Sequence, residues 1–267
     1  MSELSEFLRS RRGRLSPEQA GLATFGTRRR VPGLRREELA QLAGISADYY
    51  IRFEQGRLDN VSDQVLDAVA RALRLDDTEH GHLRTLVRPH GLRPGEHPTR
   101  PQQRWLLDSI AGPAYILGAR TDVLAWNALA SALYGVDLGT LDPPNMARLI
   151  FLDPAARTLW VPWEDKARDT VGGLRVLAGM YPDDRALHDL VAELHDRDPD
   201  FGRLWAEHDV WTSPFGEKRF HHPVAGDFSL HYEAFAVPGA PDRTLITYTA
   251  EPDSPGATAL RLLGGRP

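Results

Sequence analysis

The chain has 267 residues, of which 42% are hydrophobic and none is cysteine, and its formal net charge is −5. That length holds one large domain or two ordinary ones, and that apolar fraction excludes a globally disordered polymer. The missing cysteines exclude disulfides, thiol redox sensing, cysteine-ligated zinc and a cysteine nucleophile, and no apolar run approaches the ~18 residues of a membrane span. The opening stretch MSELSEFLRSRRGR lacks the apolar core of a secretion signal, so a cytoplasmic protein without membrane contact is expected. Charge is uneven: residues 1–60 hold 11 Arg/Lys and 8 Asp/Glu, out of 32 and 37 in the whole chain. A basic N-terminal part on an acidic body fits a nucleic-acid module joined to something that does not bind nucleic acid. Lys166 and Lys218 are the only lysines. A GC-rich genome accounts for that bias, yet arginine makes bidentate phosphate and guanine contacts that lysine does not.

In chain order, residues 2–12 put Leu4, Phe7 and Leu8 on one helical face beside Arg9, Arg11 and Arg12. A loop with Pro17 and Pro32 follows. The spacing then predicts a helix from Leu34 to Ala43, ended by Gly44, and a second from its cap Ser46 to about Gln55. Leu39, Leu42, Ile45, Tyr50 and Phe53 have the spacing of a core shared by two helices, and Ala40 is small enough to let them approach. Two more helices are predicted behind Ser62 and within DDTEHGHLRTLV. RPHGLRPGEHPTRPQQ, with four prolines and no apolar period, reads as a linker over 89–103. Beyond it come a helix at 104–111, a hairpin around GARTD, a short helix in NALASALYG and a mostly helical stretch at 145–209. Three strands follow at 217–224, 227–237 and 243–250. The fold class expected is α+β overall, with an all-α five-helix domain at 1–88 and an α+β domain with an antiparallel sheet at 104–267.

Catalytic and metal patterns are absent from the sequence. His80 and His82 stand two apart on a predicted helix and so point apart. No HExxH, GxGxxG, GxxxxGK[ST] or GxSxG occurs. An enzyme is not expected, nor a cofactor.

REELAQLAGISADYYIRFEQG resembles the XRE, or phage-repressor, type of helix-turn-helix. The longer strings RRRVPGLRREELAQLAGISADYYIRFEQGR, TDVLAWNALASALYG, RLIFLDPAART, FGRLWAEHDV and KRFHHPVAGDFSLHYEAF resemble, in order, the MmyB-like transcription regulators, over nearly the whole chain. The resemblance implies a DNA-binding regulator whose second motif helix enters the major groove. Ser46, Ala47, Asp48, Tyr49 and Arg52 then form the reading edge: Asp48 accepts from cytosine N4 and Ala47 touches a thymine methyl. Tyr50 and Phe53 are core, and Glu54 is a structural hydrogen-bonding residue. Phosphate contacts fall to Arg35 and Arg36 at the start of the first motif helix and to Arg28, Arg29 and Arg30 in the preceding loop.

For the C-terminal part the resemblance implies a PAS-like fold, an antiparallel sheet with helices over one face around an apolar pocket, and a fatty-acid-like ligand. Candidate pocket residues are Tyr115, Trp126, Phe151, Trp160, Leu177, Trp205, Tyr232 and Tyr248. His208 and His222, with Arg203 and Tyr232, are candidates for a ligand carboxylate. A homodimer on a palindromic double-stranded operator is expected, with half-sites about 34 Å apart or a multiple of it. The alternative is a DNA-binding regulator whose second domain only dimerises or docks a protein partner.

Overall fold

Leu4, Phe7 and Leu8 fall on one face of α1 (Glu3–Arg14) and are buried, as a 3.6-residue period requires. The computed structural model describes residues 3–22, 33–58, 60–88, 99–141, 143–210 and 213–265. It continues with α2 (Arg36–Ala43), α3 (Ala47–Glu54), α4 (Asp63–Leu73) and α5 (Asp77–Val87). The Ser46 and Ser62 hydroxyls accept from the backbone N–H groups of Tyr49 and Val65, and Asp76 forms a capping box with Glu79. Gly44 ends α2 with φ of 67°, in the left-handed region that glycine enters without a Cβ penalty. That turn lets α3 begin at once and cross α2 over Leu39, Ala40, Tyr50 and Phe53, all buried.

The chain divides into two compact units, Met1–Gly91 with Ala206–Val210, and Leu92–Trp205 with Trp211–Pro267. The sequence reading carried the second domain unbroken from 104 to 267; residues 206–210 depart from it because α1 holds them. Arg14 Nη2 donates to the Glu207 carbonyl at 2.6 Å and the Asp209 carboxylate at 2.5 Å, and Arg11 Nη2 donates to the His208 carbonyl at 2.7 Å.

The second unit opens with α6 (Pro101–Ser109), so the tail of the expected linker is already helical. Proline at the first helical position sacrifices no hydrogen bond, and the Gln103 side chain accepts from the Arg100 N–H at 2.9 Å. The strands are β1 (Ala114–Leu117), β2 (Val123–Trp126), β3 (Phe215–His222), β4 (Gly226–Val237) and β5 (Ala240–Thr249). They form one antiparallel sheet in the order β2-β1-β5-β4-β3. The helices are α7 (Ala128–Tyr134), α8 (Met146–Leu152), α9 (Ala156–Leu159), α10 (Trp163–Met180), α11 (Arg185–Arg197), α12 (Pro199–Ala206) and α13 (Pro255–Leu263). The main core lies between them and one sheet face, with Leu133, Ile150, Leu174, Leu190, Phe201 and Leu230 at its centre. On the reverse face Leu107 of α6 meets Ala114, Ile116 and Ala125.

Asn127 ties the hairpin to its surroundings. Its side-chain oxygen accepts from the N–H groups of Ala114 (3.1 Å) and Ala130 (3.0 Å), and its amide donates to the Gly112 carbonyl at 2.8 Å. One buried side chain thus caps α7 and fixes the start of β1.

Candidate DNA-reading edge and ligand cavity

α3 divides along its length. Tyr50, Phe53 and Glu54 are buried on one side, while Ser46, Asp48 and Arg52 are exposed on the other, with Ala47 and Tyr49 half-buried between them. Asp48 and Arg52 stand at i, i+4 but form no ion pair among the described residues, which leaves both for a partner. The buried side is held by Glu54, 1% exposed. Arg12 Nε donates to its carboxylate at 3.0 Å and Arg36 Nε at 2.7 Å, so α1, α2 and α3 meet on one side chain. Burial first, and the Glu54 charge second, push the Tyr50 phenol well above its ordinary range.

The arginines sort by partner. Arg11 is buried with its guanidinium 2.7 Å from Glu79, Arg12 and Arg36 serve Glu54, and Arg14 serves Asp209. Arg35 is exposed; its backbone N–H bonds the Glu38 carboxylate at 2.7 Å. Its guanidinium has no partner among the described residues. Arg9, Arg52 and Arg57 are exposed in the same way. Arg57 lies just past α3, after the Gly56 turn, and adds an exposed cation that the helical period does not single out. Arg28, Arg29 and Arg30 lie outside the described residues.

In the second unit, α10 lies over the sheet and leaves a cavity of about 600 Å³, within the usual span of small-molecule sites, ~300–1,000 Å³. Lys166, Asp169, Thr170, Gly173, Leu177 and Met180 line it from α10, at the i, i+3, i+4, i+7 spacing of one helix face. Opposite them, Tyr232, Ala234 and Ala236 of β4 stand in register with Tyr248, Ile246 and Thr244 of β5. The middle is apolar. At one end Tyr115, Tyr134 and Tyr248 cluster; the Tyr134 hydroxyl donates to that of Tyr248 at 3.5 Å, and burial holds all three phenols above their ordinary range. A larger groove of about 870 Å³ runs over polar side chains such as Glu217, Arg219, His221 and Asp227. Val161, Phe220, Phe228 and Pro255 supply the apolar part of its lining.

Of the pocket residues expected from sequence, Tyr115, Leu177, Tyr232 and Tyr248 line the cavity together. The others are placed elsewhere. Phe151 packs edge-on to Trp163 and Phe201 in the core. Trp126 packs against that core from β2. Trp160, 2% exposed, packs on the Tyr134 ring at 5.5 Å and lines a smaller pocket of about 140 Å³ beside Lys166 and Lys218. Trp205 stacks on Phe201 and on the buried Arg175 guanidinium, 4.2 Å from its ring centre. His222 accepts from the N–H groups of Val224 and Ala225 through Nδ1, while Nε2 faces the Ala132 carbonyl at 3.1 Å; these are structural bonds. His208 belongs to the first unit, and Arg203 pairs with Asp200 on α12.

A family model of the MmyB-like transcription regulator ligand binding domain matches residues 99–263, and a helix-turn-helix domain model matches residues 3–83. The chain belongs to the MmyB-like transcription regulators. A comparison with curated proteins finds none similar to it. As a member of the MmyB-like regulators, it is a DNA-binding transcription regulator with a ligand-binding domain, and both matched families are regulator domains rather than enzymes. Among the described residues no His/Cys/Asp/Glu group is placed to hold a metal ion, and no helix is long and apolar enough to cross a membrane.

Proposed function

We propose that this regulator reads operator DNA through Ser46, Ala47, Asp48, Tyr49 and Arg52, and that a small apolar, fatty-acid-like ligand in the second unit controls the reading. The observation that carries the ligand half is the apolar cavity of about 600 Å³ between α10 and the sheet. Helices over that sheet face and the cavity between them support the PAS-like description. Phosphate binding rests on Arg35, whose guanidinium has no partner among the described residues, and on the N-terminus of α2. Arg36 is better read as a brace on Glu54. Trp105 and Leu106, exposed on α6 at 66% and 51%, support a homodimer, and with it a palindromic operator.

The test starts with sites selected from random duplex DNA by the full chain. Arg52→Ala is expected to cost about 1–3 kcal/mol on the selected site and to relax its preference at one base pair. Arg35→Ala is expected to weaken all sequences alike and to reduce the salt slope of binding by about 1. No enrichment of any sequence, or an Arg52→Ala protein with unchanged affinity and preference, contradicts the assignment of the edge.

A further inference from the structure

The whole chain contains two lysines among its 32 basic residues. Both line the same cavity, Lys166 from α10 and Lys218 from β3. They come from segments 52 residues apart, so neighbouring sequence does not explain the coincidence.

The cavity has a long axis with unequal ends. From Lys166 to Met180 the α10 face spans about 20 Å at the helical rise. On the sheet, Lys218 stands opposite Leu230, and Ala236 lies six residues further along β4, again about 20 Å. The first end holds Lys166, Lys218 and Asp169. The far end holds Asp242 and Arg243, one charge of each sign. Between them the walls are Leu177, Met180, Ile246 and alanines. The first end therefore carries an excess of one positive charge.

At that end Lys218 is already committed. Its ammonium donates to Asp169 and lies 5.4 Å from the Tyr232 ring centre. Burial alone would lower it, but the Asp169 bond and charge outweigh that and hold it above its ordinary range. Lys166 has no ion-paired carboxylate among the described residues, and its ammonium lies 5.9 Å from the Trp160 ring centre. Burial first, and the Lys218 charge second, lower it to about 8 against the pull of Asp169. A desolvated ammonium beside a second ammonium gains from an incoming anion, whereas an uncharged ligand would leave it unmatched.

We infer that Lys166, seconded by Lys218, is the anion-selecting end of this cavity and takes the carboxylate of a linear amphiphile whose tail lies along α10 toward Met180. This rests on the reading of the cavity as the ligand site, and it replaces His208, His222 and Arg203 as the carboxylate partners. The probes are dodecanoate and its uncharged methyl ester, titrated into the full chain by calorimetry. Wild type should bind the acid at least about tenfold more tightly than the ester. Lys166→Met should bind both alike, and Lys166→Arg should keep the preference. Because only two lysines exist, acetylating the folded wild-type protein supplies a second measurement, and it too should erase the preference. Equal binding of acid and ester by wild type, or a preference that survives both Lys166→Met and acetylation, overturns the lysine assignment alone. Binding of neither probe by wild type overturns the cavity reading and the assignment with it.

Discussion

Glu54→Ala should strip the DNA-binding unit of a large share of its stability while the second unit stays intact. The Glu54 carboxylate is buried at 1% exposure and receives Arg12 at 3.0 Å and Arg36 at 2.7 Å. Arg12 is itself 13% exposed and keeps only the Leu34 carbonyl at 2.6 Å, so truncating Glu54 leaves its charge uncompensated with little water to reclaim. Breaking such a pair costs about 3–5 kcal/mol, against about 5–15 kcal/mol for a whole domain. Three helices lose their common attachment at once, and DNA binding goes with them. Glu54→Gln keeps shape and one acceptor, so an intermediate loss is expected. Hydrogen exchange of the α2 and α3 amides reads the effect directly. Tryptophan fluorescence supplies the control, because all six tryptophans lie at residue 105 or beyond. Unchanged protection of α2 and α3 in Glu54→Ala would contradict the role given to this residue.

Gly173→Phe should abolish binding of dodecanoate without unfolding the second unit. Gly173 sits midway along the cavity-lining face of α10, and a Cβ added there meets no atom within 4 Å beyond the helix itself. A glycine inside a helix costs about 1 kcal/mol relative to alanine, so Gly173→Ala should raise stability by up to that amount. Phenylalanine at the same position reaches into the space the tail would occupy. A loss of affinity of at least tenfold, about 1.4 kcal/mol, with an unchanged or higher unfolding midpoint is the expected pair of results. Equal ligand affinity in the variant would place the ligand elsewhere.

Much of this architecture was legible in the sequence because the signals are local. Gly44, the caps at Ser46 and Ser62, and the spacing of Tyr50 and Phe53 fix the two motif helices within a residue or two. Glu54 was recognised as structural from its place at the helix end, although its two arginine partners come from 42 and 18 residues away. The run DFSLHYEAFAV alternates Phe228, Leu230 and Tyr232, which pack toward the core, with the exposed His231 and Glu233. What alternation does not give is depth. It places Tyr232 on the inner face but has no means to separate cavity wall from solid core, and aromatic content alone groups Phe151, Trp126 and Trp160 with Tyr115, Tyr232 and Tyr248. Pro101 was read as linker punctuation because proline marks both loops and helix starts. α13 went unread for a related reason: its cap Ser254 and first-turn Pro255 were present, but the helix has only nine residues. In the sequence the two lysines read as a mark of base composition; their meeting place depends on a pairing of α10 with β3 that no short-range pattern encodes.

The central claim is that occupancy of the cavity changes operator affinity. By linkage, a ligand shifts that affinity only if it binds the DNA-competent and DNA-incompetent states unequally, and such couplings amount to about 1–3 kcal/mol, roughly 5–150-fold. The most direct measurement is the dissociation constant of the full chain for its selected DNA site, with and without saturating dodecanoate, in wild type and in Gly173→Phe. The account predicts a shift of about fivefold or more in wild type and none in the blocked variant. Identical wild-type affinities with the ligand demonstrably bound would contradict it.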